Sequence, residues 1–456
     1  MHFYFPSRAA RWAGVAICAA MPPLAAGPYS ASSNDPANPH DAPVPGFTGP
    51  HGIGKARLVA GLDDDLQPIY QNPGNYVNPL FFAWPGNVAA YMPSESVSSD
   101  FGLPQLALGP VTGDNFEVVS LGDLGADAIT AGDPPGTLTL AFPQPLHDLT
   151  GADFVVFENG HISQSNLGGA GEGYIFAEFA YVEVSGDGVN FVRFPAVSLN
   201  PPLPALPEPL GTAYASLDAT NVHNLAGKHV NAYGDSWGTP FDISDVGLAT
   251  VTHIRIVDIP GNGAFADGTG NPVYDPWKTS GSGGFDLEAV GGISKMMNYA
   301  DWPLLEKLPA DKRGMEDDPD GDGVPNLLEY AFARLPWLHE PPDGLPQLRL
   351  THENGSSFVE LEFVRDERLT DVSYEVQFTT SLAAAGWTGV ARGMGGAPLV
   401  ALAGHAPVIV ETSASPIASI GVLRKVSVRD TVPITASDRR FYRVKVISEP
   451  VSAQNP

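Results

Sequence analysis

The hydrophobic residues of this chain occur in short runs that alternate with polar residues and end at glycine, proline or Asp-Gly turns. Over residues 252–258, Ile254 and Ile256 fall on one face of an extended segment, whereas Arg255 falls on the other. This period of two predicts half-buried β-strands. The runs on either side of residues 186–188 (GDG) predict a β-hairpin, because Asp-Gly is a typical hairpin turn.

These strand patterns define two β regions. Residues 55–294 contain many short strands without alternating helices, which predicts an antiparallel β-sandwich of jelly-roll type. The strand pattern returns over residues 347–447 and predicts a smaller sandwich of fibronectin type. Residues 295–336 carry the helical signals, residues 337–346 form a linker, and residues 448–456 form a tail. The predicted fold class is therefore mainly β, with a short helical segment between two sandwiches.

The first residues show the three-part pattern of an export signal. Arg8 and Arg11 form a basic region, and a short apolar run with small residues at its end follows. We therefore predict that residues 1–26 are a signal peptide and that the protein is exported, to the cell surface or the extracellular space. Residues 27–54 are rich in Pro, Asn, Ser and Gly, which predicts a flexible leader.

Composition narrows the classes of function. The 456 residues include 50 Gly and 44 Pro, which suits a loop-rich β protein, and 24 basic against 51 acidic residues give a net charge of −27. Such a surface repels phosphate groups, so we predict no nucleic-acid partner. The single cysteine, Cys18, lies in the predicted signal peptide, so we expect no disulfide in the mature chain. Because no second long apolar segment follows, no membrane span is predicted.

Residues 318–329 (DPDGDGVPNLLE) carry the most specific motif of the sequence. They match a twelve-residue EF-hand loop, in which alternate residues supply oxygen ligands and a glycine allows a sharp turn. This spacing predicts a site for Ca²⁺, which prefers several hard oxygen ligands. The predicted ligands are the side chains of Asp318, Asp320 and Asp322, the Val324 carbonyl, a water held by Asn326, and both carboxylate oxygens of Glu329.

The loop differs from a paired EF-hand at one position. Pro325 stands where an aliphatic residue normally pairs two such loops, so we predict a solitary loop that resembles those of dockerins and thrombospondin type-3 repeats. A helix is expected over residues 326–333. The alternative interpretation is a solvated acidic turn without an ion.

Two resemblances to known families follow from the motifs. Residues 151–160 (GADFVVFENG), 180–195 (AYVEVSGDGVNFVRFP) and 283–293 (GGFDLEAVGGI) resemble a family of exported bacterial cell-surface proteins to which no activity is assigned. Residues 318–333, followed by a β domain that ends in RRFYRVKV (439–446), resemble C-terminal modules of many exported bacterial proteins. These resemblances imply a structural or attachment role and no named reaction.

Other patterns suggest chemistry but lack the surroundings that it needs. Residues 234–238 (GDSWG) match the nucleophile motif of α/β-hydrolases, but no helix pattern follows Ser236, so we favour a loop. His223 and His229 are spaced too widely for a typical zinc site and have no partner cysteine, so we expect packing or surface roles. Paired carboxylates of glycosidase type stay open, because so many acids make any pairing possible.

A set of acidic and amide side chains lies where predicted strands meet Gly-rich loops. Such positions in β-sandwiches often bind a structural cation, but Asp and Asn there also cap their own turns. Both interpretations stay open for a second cation site. The residues concerned are Glu158, Asn159, Glu183, Asp258, Asp286 and Glu288, together with the loop at 258–275.

Two functions are consistent with the sequence. The first is an exported, non-enzymatic, calcium-binding protein of the cell surface or extracellular matrix, which binds a surface component or a polysaccharide. The alternative is a carbohydrate-active protein, either a binding module or a hydrolase with an unfamiliar site. Sugar rings would stack on aromatic side chains, and the candidates are Trp84, Trp237, Trp277, Tyr233 and Tyr274. Clustering of Trp237 and Trp277 in an exposed groove would favour the alternative.

Overall fold

The computed structural model describes residues 27–31, 41–162, 174–203, 217–382, 386–417, 419–435 and 439–449. The predicted signal peptide (1–26) and most of the predicted tail lie outside these residues. Every pair of strands named below is antiparallel, and the fold is mainly β, as the sequence predicts. No helix among the described residues is long and apolar enough to cross a membrane.

The N-terminal region contains twenty short strands and one short α-helix, α1 (Ala126–Ala131), among the described residues. The strands are β1 (Val44–Pro45), β2 (Phe47–Thr48), β3 (Val59–Leu62), β4 (Pro68–Tyr70), β5 (Tyr76–Val77), β6 (Asn87–Met92), β7 (Val119–Ser120), β8 (Thr137–His147), β9 (Phe154–Glu158), β10 (Tyr174–Ile175), β11 (Ala180–Ser185), β12 (Val192–Arg193), β13 (Val197–Ser198), β14 (Leu217–Asp218), β15 (Val222–His223), β16 (Trp237–Phe241), β17 (Thr250–Asp258), β18 (Asn262–Ala266), β19 (Pro272–Tyr274) and β20 (Asp286–Gly292).

Two five-stranded sheets form the N-terminal sandwich. One has the order β1-β16-β9-β20-β7, and the other has the order β12-β11-β17-β8-β6. Their facing side chains form one apolar core, in which Phe154 and Phe241 stack at 5.3 Å and Ile254 and Ile256 are fully buried. The predicted hairpin is present, because β11 pairs with β12 across the turn that contains Gly188.

Strand β9 is buried on both of its faces. Phe154 and Val156 face the core between the two sheets, whereas Val155 and Phe157 face a second apolar cluster on the outer side. The continuous apolar run of this strand follows from that arrangement, since a strand with one solvated face would alternate apolar and polar residues.

The predicted flexible leader (27–54) is in part a component of this sandwich. Strand β1 pairs with β16, and Val44 and Phe47 lie in the outer apolar cluster. Proline and glycine punctuate these residues because the chain turns repeatedly there, and the few apolar side chains between the turns are enough to anchor it. Residues 32–40 of the predicted leader lie outside the described residues.

The segment after β20 contains one α-helix, α2 (Asn326–Ala331), and several 3-10 turns. Part of the helical signal predicted over residues 295–336 corresponds to a 3-10 helix, Pro303–Lys307, that starts with proline. The other 3-10 helices that lie wholly within the described residues are Ser99–Phe101, Pro104–Leu108, Ala219–Asn221, Ile243–Val246, Tyr299–Asp301, Ala310–Lys312 and Pro342–Gly344. The C-terminal strands are β21 (Gln347–Glu353), β22 (Ser356–Asp366), β23 (Val372–Thr379), β24 (Thr388–Met394), β25 (Val400–Ala401), β26 (Val408–Ser413), β27 (Leu423–Arg429) and β28 (Phe441–Ser448).

Two four-stranded sheets form the C-terminal sandwich, with the orders β21-β22-β27-β26 and β25-β24-β23-β28. Leu361 and Phe363 of β22 are buried in its core, and the intervening Glu362 faces outward to Lys425. Trp302 and Tyr330 from the preceding segment lie in the same core. The helical segment therefore packs as part of the C-terminal sandwich.

The two sandwiches share a polar and apolar interface. Arg368, which is 2% exposed, donates to the carbonyls of Leu80 and Ile293 at 2.9 and 3.2 Å and forms a bidentate pair with Asp366. Ser419 donates to a carbonyl of the first domain at 2.7 Å. The buried guanidinium therefore ties the C-terminal sandwich to the first one.

Candidate metal centres

The loop at residues 318–329 has the compact turn that an ion-binding loop needs. The Asp318 carboxylate accepts from the N–H groups of Gly321 and Gly323 at 2.8 and 3.0 Å. Both glycines have positive φ angles, 77° and 87°, which other residues rarely adopt. One oxygen from each of Asp318, Asp320 and Asp322 lies within 4.8 Å of the others. The turn thus brings three carboxylates together.

Glu329, in the first turn of α2, supplies a fourth carboxylate. Its side chain is fully buried, and neither carboxylate oxygen has a hydrogen-bond partner among the described residues. Burial, together with the negative charges of Asp320 and Asp322, raises the pKa of Glu329 to about 8. Asp320 Oδ2 is likewise buried without a partner. Buried oxygens without a partner among the described residues are unusual in a protein interior.

One basic side chain partly balances this charge. Arg334 is 4% exposed, and its guanidinium donates to Asp322 Oδ2 at 3.1 Å. The same guanidinium also donates to the carbonyls of Pro341 and Glu340. Four carboxylates against one guanidinium leave an excess of negative charge, which favours a bound cation or protonated acids.

The two remaining predicted ligands have different surroundings. The N–H of Val324 donates to Asp322 Oδ1 at 2.8 Å, so Val324 belongs to the turn. The Asn326 amide donates to the carbonyls of Lys312 and Gly314 at 3.0 and 2.9 Å, which lie before the loop. Asn326 therefore ties the loop to the preceding segment.

Helix α2 joins this loop to the C-terminal core. Tyr330 is 2% exposed and donates to Asp371 Oδ1 at 2.9 Å. Its ring contacts those of Tyr299 and Trp302 at centroid distances of 5.3 and 5.2 Å. Glu329 is therefore followed directly by a residue that is packed in an aromatic cluster.

A second acidic group lies at the base of β9 and was not singled out in the sequence. Asp148, Asp153 and Asp242 place ligand oxygens within 4.8 Å of one another. Burial raises the pKa of Asp153 to about 8, but both of its oxygens accept from backbone N–H groups, of Leu149 and Ile243. Asp153 therefore has a turn-anchoring role.

The acidic residues between 158 and 288 that the sequence suggests for a second cation site have three different environments. Glu183 lies between Arg193 and Arg255, with N···O distances of 2.9 and 2.7 Å. Glu288 accepts from the N–H groups of residues 112 and 113 and from the Asn231 amide. These two carboxylates are satisfied by the protein.

The other predicted acids, Glu158, Asp258 and Asp286, lie together in the interior of the first sandwich. They are each 1% exposed, and the burial of Glu158 and Asp258 raises their pKa values well above the ordinary range. Asp123 and Glu178 join them but were missed in the sequence. The available signal was an acid placed inside an apolar run, at 118–124 and at 175–182.

The motifs considered for a hydrolase nucleophile and for a zinc site have different surroundings in the structure. Ser236 is fully buried and is followed by strand β16, where a hydrolase nucleophile would be followed by a helix. His223 and His229 surround Asp41, which also forms a buried ion pair with Lys228. Burial lowers the pKa of His229 to about 3, so this ring stays neutral.

A cavity of about 390 Å³ opens beside the buried acids. Tyr233 and Phe116 lie on its walls and are 66% and 71% exposed, and Glu178 and Asp286 also line it. Trp237 and Trp277 are half-buried and do not line it, and Trp277 donates to the Leu124 carbonyl instead. Of the five predicted sugar platforms, Tyr233 is the one that reaches this cavity.

Comparison of the sequence with models of known protein families and with curated proteins gives no match. Function is therefore inferred from the geometry of these sites.

Proposed function

We propose that this chain is an exported, calcium-binding, non-enzymatic protein of the cell surface or extracellular matrix, whose sandwiches bind a surface component or a polysaccharide. The observation that carries the calcium proposal is the Glu329 carboxylate, which is fully buried with both oxygens unpartnered beside Asp320 and Asp322. A carboxylate in this position is costly to ionise unless a cation binds it.

The donor set fits calcium better than other metals. All of the candidate ligands are oxygens, and no cysteine or histidine lies in residues 318–329. Hard cations prefer such ligands, and calcium accepts the flexible geometry of a twelve-residue loop. The ion would be held by Asp318, Asp320, Asp322, the Val324 carbonyl and Glu329, and it would neutralise their charge.

The expected consequence of calcium binding is a more stable C-terminal sandwich. Glu329 belongs to α2, and the next residue, Tyr330, is anchored in the C-terminal core through Asp371. A cation that joins Glu329 to the turn at 318–322 closes the loop against this core. We therefore expect calcium to stabilise the C-terminal sandwich and its junction with the first one. The predicted export signal, the modular β architecture and the resemblance of the motifs to exported proteins support a surface role.

The test is calcium binding by the purified protein and by the double variant Asp318→Asn/Glu329→Gln. Titration calorimetry should show calcium binding by the unmutated protein, and thermal unfolding should show that it is more stable with calcium than with a chelator. In the double variant, the contribution of this loop to both results should be absent. Glu316→Gln is the matched control, because it removes one exposed acid two residues before the loop. Equal calcium-dependent stabilisation in the unmutated protein and the double variant would refute the proposal.

A carbohydrate-active role is the second candidate, supported by the two exposed aromatic side chains on the cavity. Exposed Tyr and Phe rings stack on sugar rings, and buried acids beside them can accept hydroxyl hydrogen bonds. Binding to a panel of extracellular polysaccharides should weaken in Tyr233→Ala. Val189→Ala, 79% exposed in the hairpin turn at the far end of β11, should have no effect. Equal binding by both variants would exclude this cavity.

A further inference from the structure

Lys228 and Asp41 form a buried ion pair in the N-terminal region. Their side chains are 0% and 2% exposed, and Nζ of Lys228 donates to Oδ2 of Asp41. Nζ also donates to the Val222 carbonyl at 2.6 Å. Asp41 precedes β1 and Lys228 follows β15, so the pair joins segments that are 187 positions apart in the sequence. Burying such a pair is costly, because both charges lose their hydration.

The two oxygens of the Asp41 carboxylate have different neighbours. The N–H of Ser30 donates to Oδ1 at 3.1 Å, and the Ser30 hydroxyl donates to the same oxygen. Nδ1 of His223 lies 3.2 Å from the other oxygen, Oδ2, which also accepts from Lys228. Acyl transfer to an amine needs donors on one carboxyl oxygen, a proton carrier at the oxygen that leaves, and a nucleophile beside both. The surroundings of Asp41 supply all three.

Tyr29 fixes the positions of these groups. Its ring stacks on that of His223, with the centroids 4.9 Å apart, and the Nζ of Lys228 lies 5.6 Å from the Tyr29 centroid. The N–H of Tyr29 donates to the Thr220 carbonyl at 3.1 Å, and the next residue, Ser30, is fully buried. The donors to Oδ1 are therefore held by a docked segment of the chain.

The protonation states of the pair set its starting point. Burial lowers the pKa of Lys228 to about 8, which brings the neutral amine closer to reach than at an exposed lysine. Burial also acts to raise the pKa of Asp41, but the hydrogen bond with His223 and the charge of Lys228 outweigh it and hold that pKa below its usual range. The pair thus starts as ammonium and carboxylate, joined by a hydrogen bond along which a proton can pass.

We propose that Lys228 and Asp41 condense to an isopeptide bond, an amide between their side chains, which ties the predicted leader (27–54) covalently to the first sandwich. One proton passes from Nζ to Oδ2, and the lone pair of Nζ then attacks Cγ of Asp41. The Nζ–Cγ bond forms, a second proton leaves Nζ for Oδ2 with His223 as its carrier, and the Cγ–Oδ2 bond breaks to release water. The ammonium supplies both protons, so no co-reactant is needed.

Two effects favour this product. Folding holds the amine beside the carboxyl group, and groups oriented in this way react with effective concentrations on the order of 10⁵–10⁸ M. The amide is neutral, so the cost of burying two charges disappears. Its remaining N–H can still donate to the Val222 carbonyl, which already accepts from Nζ. The chain has a single cysteine, Cys18, so no disulfide within the chain can make this connection. The proposal is independent of calcium binding.

The first experiment is mass spectrometry of the denatured protein, read against the sequence mass from its determined N-terminus. The mass should be lower by one water molecule, and a digest should contain a branched peptide that joins residues 41 and 228. Lys228→Met and Asp41→Ala should each have the full sequence mass. Lys55→Met, at an ion pair whose side chains are 49% and 34% exposed, should keep the loss of water. A full sequence mass in the unmutated protein, with no branched peptide, would refute the bond and leave an ion pair only. This readout does not depend on the folding of any variant.

The second experiment tests the role of His223 by following the loss of water with time in freshly synthesised protein. His223→Phe keeps a ring that can stack on Tyr29 but carries no proton. Its bond should form more slowly by about 100-fold or more, the usual contribution of a positioned proton carrier. Equal rates in the two proteins would refute this role of His223.

Discussion

Replacing Glu329 with glutamine is expected to raise stability in the absence of calcium and to remove most of the stabilisation that calcium provides. The substitution keeps the shape of the side chain and removes its charge. The unmutated carboxyl is fully buried with no partner for either oxygen. In a chelator this group opposes folding, whereas with calcium bound it contributes a ligand.

The size of the effect in the chelator follows from the pKa. The pKa of Glu329 rises from 4.5 to about 8 in the folded protein, mainly through burial. At pH 7 the unfolded chain is ionised and the folded chain is mainly protonated, so folding is opposed by about 2.5 pKa units, or about 3 kcal/mol. Glutamine has no such penalty, so Glu329→Gln should be more stable than the unmutated protein by up to about 3 kcal/mol.

Calcium should narrow the difference in stability between the two proteins. Extracellular loops of this type bind calcium with dissociation constants on the order of 10⁻⁴–10⁻³ M. At about 10 mM calcium, mass action then stabilises the unmutated protein by roughly 1.4–2.7 kcal/mol. The variant lacks the bidentate ligand, so its calcium-dependent gain should largely vanish.

Denaturant-induced unfolding at pH 7, followed by tryptophan fluorescence, measures both effects because Trp302 lies in the core beside Tyr330. Glu316→Gln, the control at an exposed position, should change the free energy of unfolding by no more than about 0.5 kcal/mol in either condition. A variant that is less stable than the unmutated protein in the chelator would show that the Glu329 carboxylate is satisfied. A variant that keeps the full calcium response would show that Glu329 is not a ligand.

Three further predictions concern pH, the domain interface and export. In a chelator, the stability contributed by protonated Glu329 is fully present below about pH 4.5 and is lost as the pH rises through about 8. Unfolding curves recorded over this pH range, with and without calcium, measure this loss. Arg368→Met leaves Asp366 buried without its partner, so it should lower the free energy of unfolding, measured with denaturant, by about 3–5 kcal/mol. The control Arg349→Met removes an arginine that is 62% exposed in its ion pair, and it should lower the free energy of unfolding by less than about 1 kcal/mol. N-terminal sequencing of the exported protein should begin near Gly27, and an intact N-terminus on cytosolic protein would contradict the signal-peptide prediction.

Local patterns in the sequence determined the fold class and the position of the acidic loop. Alternation such as that of Leu361, Glu362 and Phe363 reports which side of a strand is buried, because successive side chains point to opposite faces. The loop at 318–329 could also be found, since all of its carboxylates lie within twelve residues. The ligands of such a loop are close together in the sequence, so their spacing along the chain is enough to predict the site.

The tertiary structure decided how the acids outside that loop are used. Glu183 and Glu158 both occupy strands of the first sandwich. Glu183 pairs with two arginines, whereas Glu158 is buried and forms no ion pair with the described residues. The difference depends on which strands become neighbours, and these partners are far apart in the sequence. Asp123 and Asp258, separated by 135 positions, are both buried in the first sandwich because β7 and β17 belong to its two sheets.

The position of the predicted leader (27–54) likewise depends on contacts between residues that are far apart in the sequence. Its Pro- and Gly-rich composition predicts a flexible leader, but β1 docks on β16 and inserts Val44 into an apolar cluster that also contains Ile420 of the second sandwich. Composition describes the local conformational freedom of a chain, whereas burial depends on apolar surface that distant residues supply. The anchoring of this segment was therefore visible only once the two sandwiches were in place.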